Sequence, residues 1–195
     1  MTKTDLEMLS ARLPVSHIET LEALAQNDDG KTCVDSSLSC HSLTAVDFDD
    51  VKEVWYNLRL FHQVRSADAF YKNGDRYYLI EFKTDKPDNF DLHRKLYDSV
   101  IGLMENAVLS LDECRDKLQY LIVSLRYTPY PCHSEMLAHF DAGDDEPWEY
   151  EVSKTTLKEW GDKDIRKLSG FLVEKIYKLS PVDFDKFVTN RKWSN

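Results

Sequence analysis

No apolar run in the chain approaches membrane-spanning length, and the N-terminal MTKTDLEMLSARLP has no signal-peptide apolar region. The expectation is a cytoplasmic protein with no membrane partner. Basic charge is also scarce: 25 Lys and Arg stand against 35 Asp and Glu, a net charge of −10. That balance argues against a protein that coats nucleic acid non-specifically, while leaving room for a local basic groove. Arg59, Arg65, Arg76, Arg94, Lys95 and Arg126 are scattered and form no run. The four cysteines, Cys33, Cys40, Cys114 and Cys132, include no C-x-x-C pair. Zinc ligation by Cys33 and Cys40 with Cys132 or His133 matches none of the familiar spacings, so reduced, partly buried thiols are the better reading. G-x-S-x-G, P-loop, dinucleotide and H-E-x-x-H motifs are absent, which weakens serine hydrolase, nucleotide kinase and zincin readings.

What the chain has is 195 residues, 42% hydrophobic and 31% charged, an ordinary balance for one globular domain with a real core. No repeat or composition break divides it. Ser16 and Glu19 have capping-box spacing, and Ile18, Leu21, Leu24 and Ala25 follow at helical intervals. Residues 27–30 stop that helix, and residues 31–46 read as a polar surface loop. A second helix is expected over Asp47–Leu60 on Val51, Val54, Trp55 and Leu58, with residues 58–64 turning toward a strand. Asp88 caps a long helix to about Leu109, with Leu92, Leu96, Val100, Leu103, Met104 and Ala107 as its stripe. Leu118–Leu125 is a short apolar run that favours a buried strand. Further on, a short helix at 134–140, an acidic loop at 141–147 and an edge strand at 148–152 are expected. Residues 154–179 read as helical with a break near Gly161, and Ser180-Pro181 starts a last helix. The whole is an α/β domain over 1–195, with a core at about 47–126, a mixed central sheet flanked by helices, and a helical C-terminal part at 154–195.

The organising stretch is Ser66–Asp85, a β-hairpin with Asn73-Gly74 as its tight turn. The apolar run Tyr77-Tyr78-Leu79-Ile80 ends in Glu81 and Lys83, charges where a buried strand should continue. With Asn73-Gly74 as the loop, Phe70 faces Tyr77 and Asp68 faces Leu79. Asp68, Leu79, Glu81 and Lys83 then share one sheet face, with Asp68 and Glu81 as diagonal neighbours roughly 7–8 Å apart; a four-residue loop keeps this parity, whereas a three-residue loop reverses it and separates them. Two such carboxylates repel, and a divalent cation lets both stay ionised. Oxygen ligands suit Mg²⁺ or Mn²⁺, which can acidify a water and polarise a phosphoryl oxygen. Lys83 on the same face can orient that water or stabilise developing negative charge, the chemistry of phosphodiester hydrolysis. The plainer alternative is an Asp68–Lys83 ion pair on an exposed face, with Lys95 paired locally to Asp91 and Ser99 a small residue beneath a helix–sheet contact.

Asp68, a hairpin, Glu81-Phe82-Lys83 at the end of an apolar strand and a following helix resemble the PD-(D/E)xK nuclease superfamily, the restriction-endonuclease-like proteins. The resemblance spans about Asp47–Leu125. It implies Asp68 and Glu81 as metal-binding carboxylates and Lys83 as the motif lysine. It implies Lys95 or Ser99 as the added polar residue of the following helix, and Glu53 as the glutamate some members take from the preceding one. Ala67 stands where the motif proline would be. The implied activity is a Mg²⁺-dependent DNA nuclease, in a superfamily that also contains inactive members. A second class of function is therefore a non-catalytic interaction protein that binds a protein partner through its C-terminal helices. Those carry Trp160, Phe171, Tyr177, Phe184, Phe187 and Trp193, most of which are expected in the core.

Overall fold

A computed structural model describes residues 13, 18–27, 29–56, 64–85, 88–126 and 165–193. The expectations for 58–63, 134–140, 141–147, 148–152 and the first part of 154–179 fall outside them. Six strands form one sheet in sequence order. They are β1 (Ile18–Thr20), β2 (Thr44–Asp47), β3 (Ala69–Asn73), β4 (Arg76–Lys83), β5 (Leu118–Ser124) and β6 (Lys175–Leu179). The first four are antiparallel to their neighbours, whereas β4, β5 and β6 run parallel. The helices are α1 (Leu21–Leu24), α2 (Phe48–Tyr56), α3 (Asn89–Glu105), α4 (Leu111–Lys117) and α5 (Pro181–Asn190). The fold is thus α/β with a mixed, helix-flanked sheet, as the sequence predicts.

Several expectations within that class are corrected. Residues from Ile18 form a three-residue strand and one turn of helix, capped by Thr20 through Ala23 N–H at 3.2 Å, rather than one continuous helix. The polar stretch 31–46 contributes β2, which pairs Val46 with Phe70. The C-terminal part is not all helical. Ile165–Leu168 is a 3₁₀ turn, and Lys175–Leu179 is a strand whose Tyr177 and Leu179 side chains are buried. The alternation of KIYKL is the period of a strand, and pairing with β5 decides it. On α3, Met104 faces outward, and Ala107 lies beyond the helix with φ of 55°.

Other elements form for the reasons their residues suggest. Asp88 accepts the Phe90 N–H at 3.0 Å and caps α3, which buries Leu92, Leu96, Val100 and Leu103. Ser110 and Glu113 cap α4 reciprocally. Ser180 caps α5 with Pro181 in its first turn. Every residue of β5 is buried, as a parallel strand between two neighbours requires.

The hairpin turn differs by one residue from its expected position. Asn73 pairs with Arg76, so the loop is Gly74-Asp75 rather than Asn73-Gly74. Gly74 has φ of +61° and Asp75 is not in the left-handed region, the pattern of a II′ turn. Asn73 stays in the strand, where its side-chain amide donates to the Arg191 carbonyl at 3.0 Å. The pairing moves by two residues: Phe70 faces Leu79 and Ala69 faces Ile80. A shift of two preserves which residues share a face, but it brings Asp68 two residues further along β4, to the level of Glu81.

Candidate functional site

At that level the ladder ends, and the end is built by Asp68 itself. Its N–H donates to the Ile80 carbonyl at 3.0 Å, while its carboxylate Oδ2 accepts the Phe82 N–H at 2.6 Å. A side-chain oxygen thus replaces the backbone acceptor of a continuing strand, which fixes the carboxylate against β4. The approach to Asp68 is also tied down. Ser99 on α3 accepts the Ala67 N–H at 2.9 Å, and Ser66 donates to Asp49 at the start of α2. Ser99 therefore ties down the segment that leads through Asp68 into β3.

Glu81 is fully buried. Its Oε1 accepts from Lys83 Nζ and from Lys95 Nζ, both at 2.7 Å. Lys95 also reaches Asp68 Oδ1 at 3.0 Å, so one ammonium group bridges the two carboxylates. Lys83 has its second partner elsewhere, Asp91 Oδ2 at 3.4 Å. The simple pairs considered from sequence are therefore exchanged: Asp91 holds Lys83, and Lys95 crosses to the sheet. Among the described residues, Glu81 Oε2 is buried with no hydrogen-bond partner, an unfilled acceptor that costs stability where it stands.

Burial pushes the Glu81 carboxyl up to about 7, with the adjacent Asp68 charge adding to the rise and the lysines opposing it. Asp68 is also raised by burial, against the pull of Lys95 and of the Phe82 N–H. Burial, the largest influence, would lower both lysines, and for Lys83 the Lys95 charge adds to that; Glu81 and Asp68 together outweigh these, so both end above the ordinary lysine value.

Asp68, Lys83 and Lys95 open onto a cleft of about 620 Å³. Its rim carries Glu19 from β1, Asp47 and Asp49 from the β2–α2 junction, and Asp85. Asn27 donates to Thr84 at 3.0 Å across the lip. Glu53 is exposed on α2 and does not line the cleft; Asp49, one turn earlier, does. Glu19, Asp47 and Asp49 carry no sequence signal beyond that of a helix start, because they lie in or beside β1 and β2, strands too short to show a period; Asp85 follows β4.

The donor set fits a hard divalent ion: two carboxylates, one with a free oxygen, can serve Mg²⁺ when waters complete its shell. Among the described residues, no three His, Cys, Asp or Glu side chains gather to hold a metal unaided. Cys33 and Cys40 are buried thiols, both raised by burial, Cys33 to about 12. They are poor thiolate donors, and Cys132 and His133 lie outside the described residues. Comparison with known protein families, curated proteins and solved structures finds no match to this chain.

Proposed function

We propose that the cleft is the site of a Mg²⁺- or Mn²⁺-dependent nuclease that hydrolyses DNA phosphodiesters. The observation that supports it is the meeting of Asp68 and Glu81 at one ladder end, with Glu81 buried and its Oε2 unpartnered. Asp68 and Glu81 would hold the ion, which when bound would acidify a water and polarise a phosphoryl oxygen. The Phe82 N–H orients the Asp68 carboxylate toward the cleft. Lys83, held between Glu81 and Asp91, offers its ammonium hydrogens to the attacking water or to a charged phosphoryl oxygen. The resemblance of Asp68, Glu81-Phe82-Lys83 and the following helix to the PD-(D/E)xK superfamily supports the same reading.

Isothermal titration with Mn²⁺ and Mg²⁺, with a cleavage assay on single- and double-stranded DNA, tests it. The expected result is binding below millimolar concentration and metal-dependent cleavage that falls by roughly 10²-fold or more in Asp68→Ala. Absence of both binding and Asp68-dependent cleavage would reject it.

A second reading, a non-catalytic module that binds a protein partner, draws on the rim. Glu19, Asp47, Asp49, Asp68 and Asp85 line the cleft against Lys83 and Lys95, a field that disfavours a nucleic-acid backbone. The C-terminal aromatics offer it little surface: Tyr177, Phe184, Phe187 and Trp193 are buried, while Phe171 is exposed and Trp160 lies outside the described residues. A stable partner recovered by pull-down, with no metal-dependent cleavage, would favour this reading over the first.

A further inference from the structure

Lys95 holds the position that a metal ion would need. Its Nζ lies 3.0 Å from Asp68 Oδ1 and 2.7 Å from Glu81 Oε1, between the two carboxylates proposed as ligands. Mg²⁺ binds oxygen at about 2.1 Å and strips other donors from the lone pairs it takes. An ammonium group hydrogen-bonded to both oxygens and a dication ligated by both would compete for the same lone pairs and repel each other across the same gap. Lys83 is placed differently. It touches Glu81 but not Asp68 and is anchored to the side by Asp91, so an ion between the carboxylates leaves it a partner. Lys95 projects from α3 on a four-carbon stem and already lines the cleft. Its ammonium can withdraw into that cleft without any movement of the helix.

We propose that Lys95 is the displaceable internal counter-ion of the Asp68–Glu81 pair. A divalent ion enters by expelling the Lys95 ammonium, which then stands in the cleft as a donor for a bound phosphate. The inference rests on the metal-binding reading of these carboxylates and adds a competitor to it. In the free protein Lys95 prevents Asp68 and Glu81 from facing each other unpaired. With an ion present the same cation becomes surplus at the carboxylates and is available to an anion. The unpartnered Glu81 Oε2 is consistent with this exchange: the lysines occupy Oε1, and the site retains an oxygen that neither of them satisfies.

The test compares Mn²⁺ binding by titration calorimetry in the full chain and in Lys95→Met, Lys83→Met and Asp68→Asn, each checked for folding by circular dichroism. Removing a competitor raises apparent affinity by the factor that the closed ion pair had withheld. Lys95→Met should therefore bind Mn²⁺ about tenfold tighter or more, Lys83→Met should change much less, and Asp68→Asn should abolish binding. A second measurement needs no variant beyond the one used for assignment. In the unsubstituted protein the Lys95 ¹⁵Nζ ammonium resonance should be visible by nuclear magnetic resonance while paired, and should shift or exchange-broaden on saturation with Mg²⁺. Equal or weaker Mn²⁺ binding in Lys95→Met would overturn the displacement while leaving the metal reading in place, as would a Lys95 resonance unmoved at saturation. If neither the unsubstituted protein nor Lys95→Met binds Mn²⁺, the metal reading fails and the displacement with it. Should Lys95→Met not fold, the resonance measurement decides alone.

Discussion

On one face of the β3–β4 hairpin, Tyr71, Tyr78 and Phe82 meet α5 and the residues after it. Tyr71 stacks on Trp193 at 4.1 Å between ring centroids, Tyr78 lies edge-on to Phe187, and Phe82 edge-on to Phe184. On the other face, Phe70, Tyr77 and Leu79 begin a similar apolar layer, with Phe48 of α2 against Phe70. That layer gives way, within two residues along β4, to Glu81, Lys83, Asp68 and Lys95. Adjacent residues of one strand thus serve opposite ends: Phe82 packs, while its neighbours Glu81 and Lys83 carry charge into a buried place. The difference separates a packed apolar face from a buried charged one along a single strand. The aromatic face contributes stability by excluding water. The charged face is held in place by pairing that leaves Glu81 Oε2 unsatisfied among the described residues, an arrangement that costs stability.

If that division holds, truncation of the aromatic face should be the most costly single change. Phe184→Ala removes a fully buried ring and should lower unfolding free energy by about 3–5 kcal/mol in urea denaturation. A loss under about 1 kcal/mol would break the comparison, because the aromatic layer would then not be the stabilising one.

The charged face should respond asymmetrically. Lys95→Met leaves Glu81 buried with Lys83 as its remaining cation and should cost about 2–4 kcal/mol. Glu81→Gln added to Lys95→Met should recover much of that loss, because the uncompensated charge is removed with its partner. A double-mutant cycle that sums to additivity would show that the two do not act as one unit.

The same residue should leave a signature in pH. Burial and the Asp68 charge raise the folded-state Glu81 carboxyl to about 7 from an ordinary 4.5. Between those values the folded protein retains a proton that the unfolded chain releases, so the Glu81 contribution falls as pH rises from about 4.5 to about 7. Lys83 and Lys95, both raised, stay protonated in both states across that window and add no opposing slope. Denaturation across that pH range should show a steeper decline in the unsubstituted protein than in Glu81→Gln; parallel profiles would place the Glu81 carboxyl near its ordinary value.

The smallest expected effect sharpens the boundary between the faces. Ser99→Ala removes the buried acceptor of the Ala67 N–H and should cost about 1–3 kcal/mol. It should also weaken Mn²⁺ binding, since Ala67 precedes Asp68, whereas Ser180→Ala at the α5 cap should cost about 1 kcal/mol with no effect on the ion. Equal metal binding by the two variants would show that Ser99 supports packing and not the carboxylate.

Much of this architecture is legible in the residues. The Asp88 and Ser180 caps, the α3 stripe, the apolar run of β5 and the parity that puts Asp68, Glu81 and Lys83 on one face all follow from local rules of spacing and capping. Parity is the same for either turn position because side chains alternate every two residues and the two registers differ by two. What local pattern misses is short or borrowed structure. β1 and β2 have three and four residues, too few to display a period. β6 lies in a stretch whose Lys and Leu content also suits a helix, and only its partner β5 makes it a strand.

The site divides along the same line. The amino-acid sequence by itself determined that Glu81 and Lys83 fall on one face of β4, because alternation is a property of the backbone; that Asp68 joins them depends on an even hairpin loop. Tertiary structure alone decided that Asp68 stands level with Glu81, since Asn73 is held in the strand by the distant Arg191 carbonyl and the turn therefore falls on Gly74-Asp75. It also decided that Lys95 crosses from α3 to both carboxylates instead of pairing with Asp91 four residues away, because a buried carboxylate pair attracts a cation more strongly than a solvated neighbour does.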